Sequence, residues 1–433
     1  MTSARQLAVR CLLEADKGGY SNLIFKQQAA GAGFSGRDTA FAAALFYGAL
    51  ERRLTLDYIL APLLSRPVGK LDPEVRCILR AGLYQCLYMQ GVPVRAAVDE
   101  SVELCAAFGK SSAKSLVNAV LRRASVFDLS SLDAVDGAVR RLSVKYSLCE
   151  GLAALLLSQY GSDTEPMLGA TFERCPTAAR LNALRAGEEQ LIRTLAGEGV
   201  TARPTWLPYA VELEGPWLGC ASFANGDLRV QSLAAQCAAA AVDPRPGERV
   251  LDACAAPGGK TLTMAQRMKN IGRIVALDLH MSRLRLIDEA ARREGVAIVE
   301  TRCADAAAYA DGEAFDRVLC DVPCSGYGEI AAKPELRYKE PSQENDLVPL
   351  QRAILDSGAR KLRAGGRLVY STCTLDRREN EDVALAFLGA NPDFRAVDPG
   401  LPREAPRDAR GFVTFLPRAG ANEGFFIATF ERI

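Results

Sequence analysis

Leu251-Asp252-Ala253-Cys254-Ala255-Ala256-Pro257-Gly258-Gly259-Lys260-Thr261 joins a short apolar run at 249–253 to an amphipathic pattern at 260–268. Glycines between a strand and a helix let the backbone approach a ligand closely and aim amides at it. Three nucleotide-type readings compete for such a loop. A P-loop needs a glycine where Cys254 stands, so Gly259-Lys260-Thr261 is a decoy. A dinucleotide fingerprint needs GxGxxG, which this stretch lacks. The third reading is an S-adenosylmethionine loop, whose ligand carries a sulfonium instead of a pyrophosphate and needs fewer amides.

Outward from this loop the pattern alternates. Apolar strand cores at 249–253, 273–279, 297–303, 315–321 and 367–370 are separated by helical patterns at 260–268, 283–294 and 343–362. That alternation predicts a parallel sheet with both faces covered, a Rossmann-like α/β domain. Runs at 411–416 and 424–430 predict a closing antiparallel pair. Acidic residues stand at the strand ends, where ligands of open α/β sheets bind. Asp278 is placed to accept ribose hydroxyls, Asp305 to face an adenine amino group, and Asp252 and Asp321 end the first and fourth strands.

Two cysteines share that rim: Cys324 in Asp321-Val-Pro-Cys-Ser-Gly326, and Cys373 in Tyr370-Ser-Thr-Cys-Thr374. Cysteine in a reduced protein is usually small apolar filler, a reading that suits Cys11, Cys77, Cys86, Cys105 and Cys237. Cys324 and Cys373 differ, because both sit at strand-to-loop transitions beside carboxylates and a lysine. C5 of cytosine is a poor nucleophile towards a sulfonium methyl. A thiolate that adds to C6 makes C5 enamine-like and able to attack, which is covalent catalysis. The step needs thiolate character, help at N3 that an acid such as Asp321 can give, and a second group to assist elimination. The base must also leave its stack.

The chain has 433 residues, which implies more than one domain. Residues 1–125 read as all helix, with apolar spacing at 38–64, 74–89, 94–108 and 111–123 and breaks at 67–69 and 91–93. Residues 126–226 read as a helical linker and a small α+β unit, with a helix at 151–160, strands at 177–184 and 210–213, and a helix at 188–197. Residues 227–433 form the α/β part. The front segment holds 16 Lys and Arg against 10 Asp and Glu, whereas the whole chain is at +1. Such a local excess suits either a phosphate-contacting face or a solvated helical surface.

Thirteen cysteines without a CxxC pair, together with no export signal, point to reduced thiols and a cytoplasmic protein. No run is long and apolar enough to span a bilayer, so no membrane partner is expected. His280 is the one histidine, which disfavours metal sites built on His and leaves a Ser/His triad a single imidazole. No metal is expected.

The front pattern Val94-Arg-Ala-Ala-Val-Asp-Glu-Ser-Val-Glu-Leu104, followed by Leu116-Val-Asn-Ala-Val-Leu-Arg-Arg123, resembles the helical domain of the antitermination factor NusB, an RNA-binding module. Arg122 and Arg123 are either RNA contacts or charges complementing a helix C-terminus. The catalytic segment resembles the Sun/NSUN family of RNA cytosine-C5 methyltransferases, on the 251–261 stretch, Asp321-Val-Pro-Cys-Ser-Gly326, Leu368-Val-Tyr-Ser-Thr-Cys-Thr374 and Glu379-Asn-Glu381. With the helical front segment, the likeness reaches the small-subunit ribosomal RNA branch of that family and spans nearly the whole chain.

The resemblance implies Cys373 as nucleophile, Cys324 as promoter of product release, and Asp321 and Lys260 touching the cytosine. It also implies S-adenosyl-L-methionine held by Cys254, Ala255, Ala256, Pro257, Gly258, Gly259, Lys260, Asp278, Asp305 and Asp321. The expected partner is RNA, 16S rRNA or its small-subunit precursor, bound by a monomer. Two departures bear on substrate position. Ala331-Ala332-Lys333-Pro334 stands where the family often has Arg-Arg-His-Pro, and Asn422-Glu423-Gly424-Phe425-Phe426 lacks the histidine that usually precedes that tail. Rival readings are an RNA-binding factor with a vestigial catalytic part, a tRNA enzyme, and a DNA or protein methyltransferase. In DNA cytosine enzymes the Pro-Cys cysteine attacks, which would leave Cys373 idle.

Overall fold

The computed structural model describes every residue except 1, 2, 31, 32, 35, 311 and 343–345. Its backbone divides into two compact units. One comprises 1–169 with 330–341, and the other 170–329 with 342–433.

The first unit is helical: α1 Ala4–Ala15, α2 Ser21–Ala30, α3 Gly36–Glu51, α4 Arg53–Leu60, α5 Pro73–Tyr88, α6 Val94–Ala107, α7 Lys114–Ala124, α8 Ala138–Tyr146, α9 Glu150–Tyr160 and α10 Thr164–Ala170. Ser3 and Gln6 form a capping box that satisfies the first amides of α1. Leu7, Leu45, Phe46, Ile78, Leu83, Val117 and Leu121 meet at helical spacing in one core.

The single run expected at 38–64 is broken at Arg52, whose φ of −103° and ψ of 15° are not helical. Tertiary contacts supply the reason. The freed amides of Arg53 and Leu54 donate to the Tyr338 hydroxyl at 3.1 Å and to Ser147 Oγ at 2.9 Å. Tyr338 belongs to the returning segment, which is packed into this unit throughout. Glu335 accepts from Ser21 Oγ at 2.7 Å, and the fully buried Arg337 donates to the Tyr146 carbonyl at 3.1 Å. The stretch beginning at the atypical Ala331-Ala332 is therefore part of a helical core.

In the second unit a four-stranded antiparallel sheet, in order β2-β3-β1-β4, comes first. It is built from β1 Thr177–Leu181, α11 Glu188–Gly197, β2 Thr201–Pro204, β3 Ala210–Glu214, α12 Ala221–Asn225 and β4 Leu228–Val230. Two of these strands, β2 and β4, escape the sequence reading because they are four and three residues long.

The larger sheet follows: α13 Leu233–Ala241, β5 Arg249–Asp252, α14 Gly259–Arg267, β6 Arg273–Asp278, α15 Met281–Glu294, β7 Val299–Cys303, β8 Phe315–Asp321, α16 Leu347–Lys361, β9 Leu362–Thr372, α17 Glu381–Ala390, β10 Phe394–Ala396, β11 Val413–Phe415 and β12 Phe425–Arg432. The first three residues of the helix expected at 343–362 lie outside the described residues. Strand order is β10-β12-β9-β8-β5-β6-β7, with β11 on β12. Strands β5 to β9 run parallel. The last pair is antiparallel, as the sequence predicts.

One apolar cluster gathers residues of α13, α14 and α15, and another those of α16 and α17, so each sheet face has its own core. Two buried side chains tie the small sheet to the large domain. Arg180 of β1 donates to Glu294 of α15 and to the Gly259 carbonyl at 3.0 Å. Strand order reverses at β5, which lies between β8 and β6. The crevice such a reversal opens lies at the carboxyl ends of β5 and β8, where the glycine loop and Asp321 begin.

Candidate active site

A cavity of about 180 Å³ opens at this reversal, lined by Arg229, Gln231, Asp252, Cys254, Ala255, Ala256, Pro257, Gly259, Lys260 and Asp321. Gly258 makes the loop's turn with φ of +93°, and a Cβ there would stand 3.1 Å from Ile287, so glycine fits both backbone and space. Asp252 is 1% exposed. Its Oδ2 accepts from Thr261 at 2.7 Å, while its Oδ1 has no hydrogen-bond partner among the described residues. Burial, opposed by the Thr261 hydrogen bond and aided by the Asp321 charge, pushes its pKa up to about 7. Gln231 Nε2 is likewise buried without a partner among the described residues. Buried polar atoms left unpaired on a cavity wall fit a polar ligand that completes them.

Asp278 ends β6 and is almost fully buried, but its carboxylate is already engaged. The His280 amide donates at 2.9 Å and Arg283 lies at 3.0 Å, with a second Arg283 bond, at 2.8 Å, to the Ala256 carbonyl. Asp305 is exposed and caps its own turn by accepting from the Ala307 amide at 2.9 Å. Neither Asp278 nor Asp305 lines the cavity, whereas Cys254, Ala255, Ala256, Pro257, Gly259, Lys260 and Asp321 do.

Beside the cavity, Lys260 Nζ meets Asp321 Oδ2 at 2.7 Å, and Ser371 Oγ donates to Asp321 Oδ1 at 2.7 Å. Burial works against the Lys260 ammonium, but the Asp321 carboxylate outweighs it and holds its pKa above the ordinary value. Lys260 also stands 5.2 Å from the centre of the Phe425 ring.

The two cysteines from the ends of neighbouring parallel strands converge to a sulfur–sulfur distance of 3.3 Å. Cys373 Sγ lies 3.5 Å from Glu329 Oε2. The hydrogen bond to Cys324, burial, and the charges of Glu329 and Asp321 raise the Cys373 thiol well above its ordinary pKa. These surroundings favour the protonated thiol at Cys373.

Both cysteine loops are held from behind. Glu379 Oε2 accepts from the Ser325 amide at 3.0 Å and from Gln351 Nε2 at 2.7 Å, and that same Gln351 nitrogen donates to the Pro323 carbonyl at 2.9 Å. Asn380 Nδ2 donates to the Thr374 carbonyl at 3.0 Å. The Glu379-Asn380 motif is thus the mount for both cysteines. Sequence reasoning missed Gln231 and Glu329. Neither belongs to a quoted motif, and each reaches the site only through the fold. In the helical unit, Arg122 and Arg123 are exposed in the last turn of α7, with Arg122 Nε bonded to Asn118 at 2.9 Å.

A glycine loop at the switch point of an α/β sheet, with a thiol pair on the same rim, defines a methyltransferase-type site. The family model described as 16S rRNA methyltransferase RsmB/F matches residues 239–431, and the NusB family model matches residues 2–125. A Bacillus subtilis (strain 168) protein, probable ribosomal RNA small subunit methyltransferase B, is 36% identical over 444 residues, covering 100% of this chain and 99% of its own. The Thermus thermophilus ribosomal RNA small subunit methyltransferase B is 35% identical over 430 residues, covering 99% and 98%. Among solved structures, PH0851 matches with a TM-score of 0.83 at 26% identity over 99% of this chain and 98% of that one. The chain belongs to the ribosomal RNA small subunit methyltransferase B family. Among the described residues no helix is long and apolar enough to cross a membrane.

Proposed function

We propose that this protein methylates C5 of a cytosine in the RNA of the small ribosomal subunit, through a covalent bond between Cys373 and C6, acting as a monomer in the cytoplasm. The observation that carries the reading is the pair of thiols 3.3 Å apart, beside the Lys260–Asp321 ion pair on the cavity rim. Methylation of most other atoms needs no cysteine nucleophile. Methylation of C5 needs one, and a second thiol within reach suits its release.

In this reading residues 254–260 hold S-adenosylmethionine, with Asp252 and Gln231 completing the wall; the group supplies an electrophilic methyl on a sulfonium. Asp278 and Asp305 contact it after giving up, in part, their present internal bonds. Cys373 adds to C6 of the extruded cytosine. Asp321, oriented by Lys260 and Ser371, accepts from the 4-amino group of the ring, and the Lys260 ammonium beside it faces N3 and accommodates the electron density pushed there. Lys260 adds a fixed positive charge at the ring edge. Once C5 carries its methyl group and gives its proton to solvent, the S–C6 bond breaks, and Cys324 supports the departing sulfur. The NusB-like helical part supplies RNA affinity.

Bisulfite sequencing of ribosomal RNA from cells with and without the gene tests this. The expected result is one small-subunit cytosine that loses protection in the deleted strain. Unchanged protection throughout that RNA contradicts the reading.

A further inference from the structure

We propose that Glu329 is the base that takes the thiol proton of Cys373 as sulfur attacks; the inference rests on the covalent reading above. Attack needs an electron pair on sulfur, and the Cys373 thiol is directed at a carboxylate oxygen 3.5 Å away in surroundings that favour its protonated form. Something must accept that proton.

Lys260 is already an ammonium and has no free pair. Asp321 spends one oxygen on Lys260 and the other on Ser371. Cys324 is itself a thiol. The one histidine, His280, caps α15 from beyond Asp278. Glu423 accepts from the Ala234 amide at 3.1 Å. Glu329 Oε2 is the carboxylate oxygen to which the Cys373 thiol points, at 3.5 Å.

Its position is fixed by backbone. Glu329 ends the short helical turn Tyr327–Glu329. The Gly328 amide donates to the Cys373 carbonyl at 3.0 Å, and the Gly424 amide donates to the Gly328 carbonyl at 2.8 Å. A Cβ on Gly328 would lie 2.0 Å from the Gly424 oxygen, so this close stacking is open to glycine alone. The carboxylate is thereby tied to the residue whose proton it takes.

The step balances. The S–H bond breaks and its proton passes to Glu329 Oε2. The pair left on sulfur forms the bond to C6, and the C5–C6 π pair moves towards C4 and N3. The negative charge thus passes from the carboxylate to the ring. On release the C5 proton passes to solvent, its electron pair forms the C5–C6 double bond, the S–C6 bond breaks, and the departing sulfur recovers the proton from the Glu329 carboxylic acid.

The test is single-turnover methylation of substrate RNA between pH 6 and 9 by the full-length protein and by Glu329→Gln, with iodoacetamide labelling of Cys373 measured alongside. The Gln variant is expected to methylate about 100-fold more slowly at pH 7 and to recover towards pH 9, where solvent removes the proton. Its labelling stays at least as fast as wild type, because a charge that disfavours the thiolate is gone. Glu329→Asp, with a carboxylate on a shorter arm, recovers part of the rate. A Gln variant within three-fold of wild type at pH 7 overturns the proposal, as does an equal deficit at every pH, or an Asp variant as slow as Gln throughout. A wild type that makes no 5-methylcytosine sinks the covalent reading instead.

Discussion

Cys324 and Cys373 are 49 positions apart in the chain, yet their sulfur atoms stand 3.3 Å from each other. The parallel pairing of β8 with β9 brings them there. Asp321 is registered with Ser371, so three residues after Asp321 and two after Ser371 the chain reaches a thiol on the same rim. Two free thiols at this distance have a consequence beyond catalysis, since closing them to a disulfide needs only a small movement. Diamide is expected to inactivate the protein with simultaneous loss of both thiols to alkylation, and dithiothreitol to restore it. Peptide mapping checks this, and independent loss of the two thiols speaks against the pairing.

Cys373→Ala is expected to abolish methyl transfer while leaving S-adenosylmethionine affinity within about three-fold, because Cys373 is not on the cavity wall. Filter-bound methyl counts and calorimetry read the two quantities separately. Retained methylation with this variant rules out Cys373 as the nucleophile.

Asp252 predicts a pH dependence of stability. Its folded pKa, about 7 against an ordinary 3.8, favours the protonated fold. That contribution is complete below about pH 4 and is lost as pH rises through 7. At roughly 1.4 kcal/mol per pKa unit the loss approaches about 4 kcal/mol. Asp252→Asn, which stays neutral, is expected to gain stability relative to wild type between pH 5 and 8. Urea unfolding at the two pH values measures it, and an unchanged difference contradicts the assignment.

The buried Arg180–Glu294 pair predicts a mutational asymmetry. Burial lowers Arg180 to about 10 against the opposing Glu294 charge. Arg180→Met strands most of the Glu294 charge, which keeps Arg229 and the uncharged Gln266, each at 3.1 Å, and Arg293 at 3.9 Å. A loss of about 3–5 kcal/mol is expected. The double variant Arg180→Met with Glu294→Met is expected to recover much of it, as read by urea midpoints. Equal losses in both variants would show that the charge is not what costs stability.

Much of this was legible in the sequence. The 251–261 stretch, the acidic strand ends and the two cysteine motifs depend on short local patterns, and each lies at the carboxyl end of a strand as its pattern implies. Relations between distant backbones were hidden. Nothing at 38–64 announces a break at Arg52, because its caps come from Ser147 and Tyr338. Asp278 and Asp305 reach strand ends as expected, but the bonds that occupy them depend on Arg283 and on a local turn. Glu329 gained its place from Gly328 and Gly424, two glycines about a hundred residues apart.

The chemistry turns on a bond between one sulfur and a pyrimidine carbon. Its most direct measurement is mass spectrometry of Cys324→Ala after incubation with substrate RNA, denaturation and digestion with nuclease and protease. A methylated cytidine nucleotide attached to the peptide containing Cys373 is the expected product. Continued methylation with no adduct, or the nucleotide carried by another cysteine, would contradict the account.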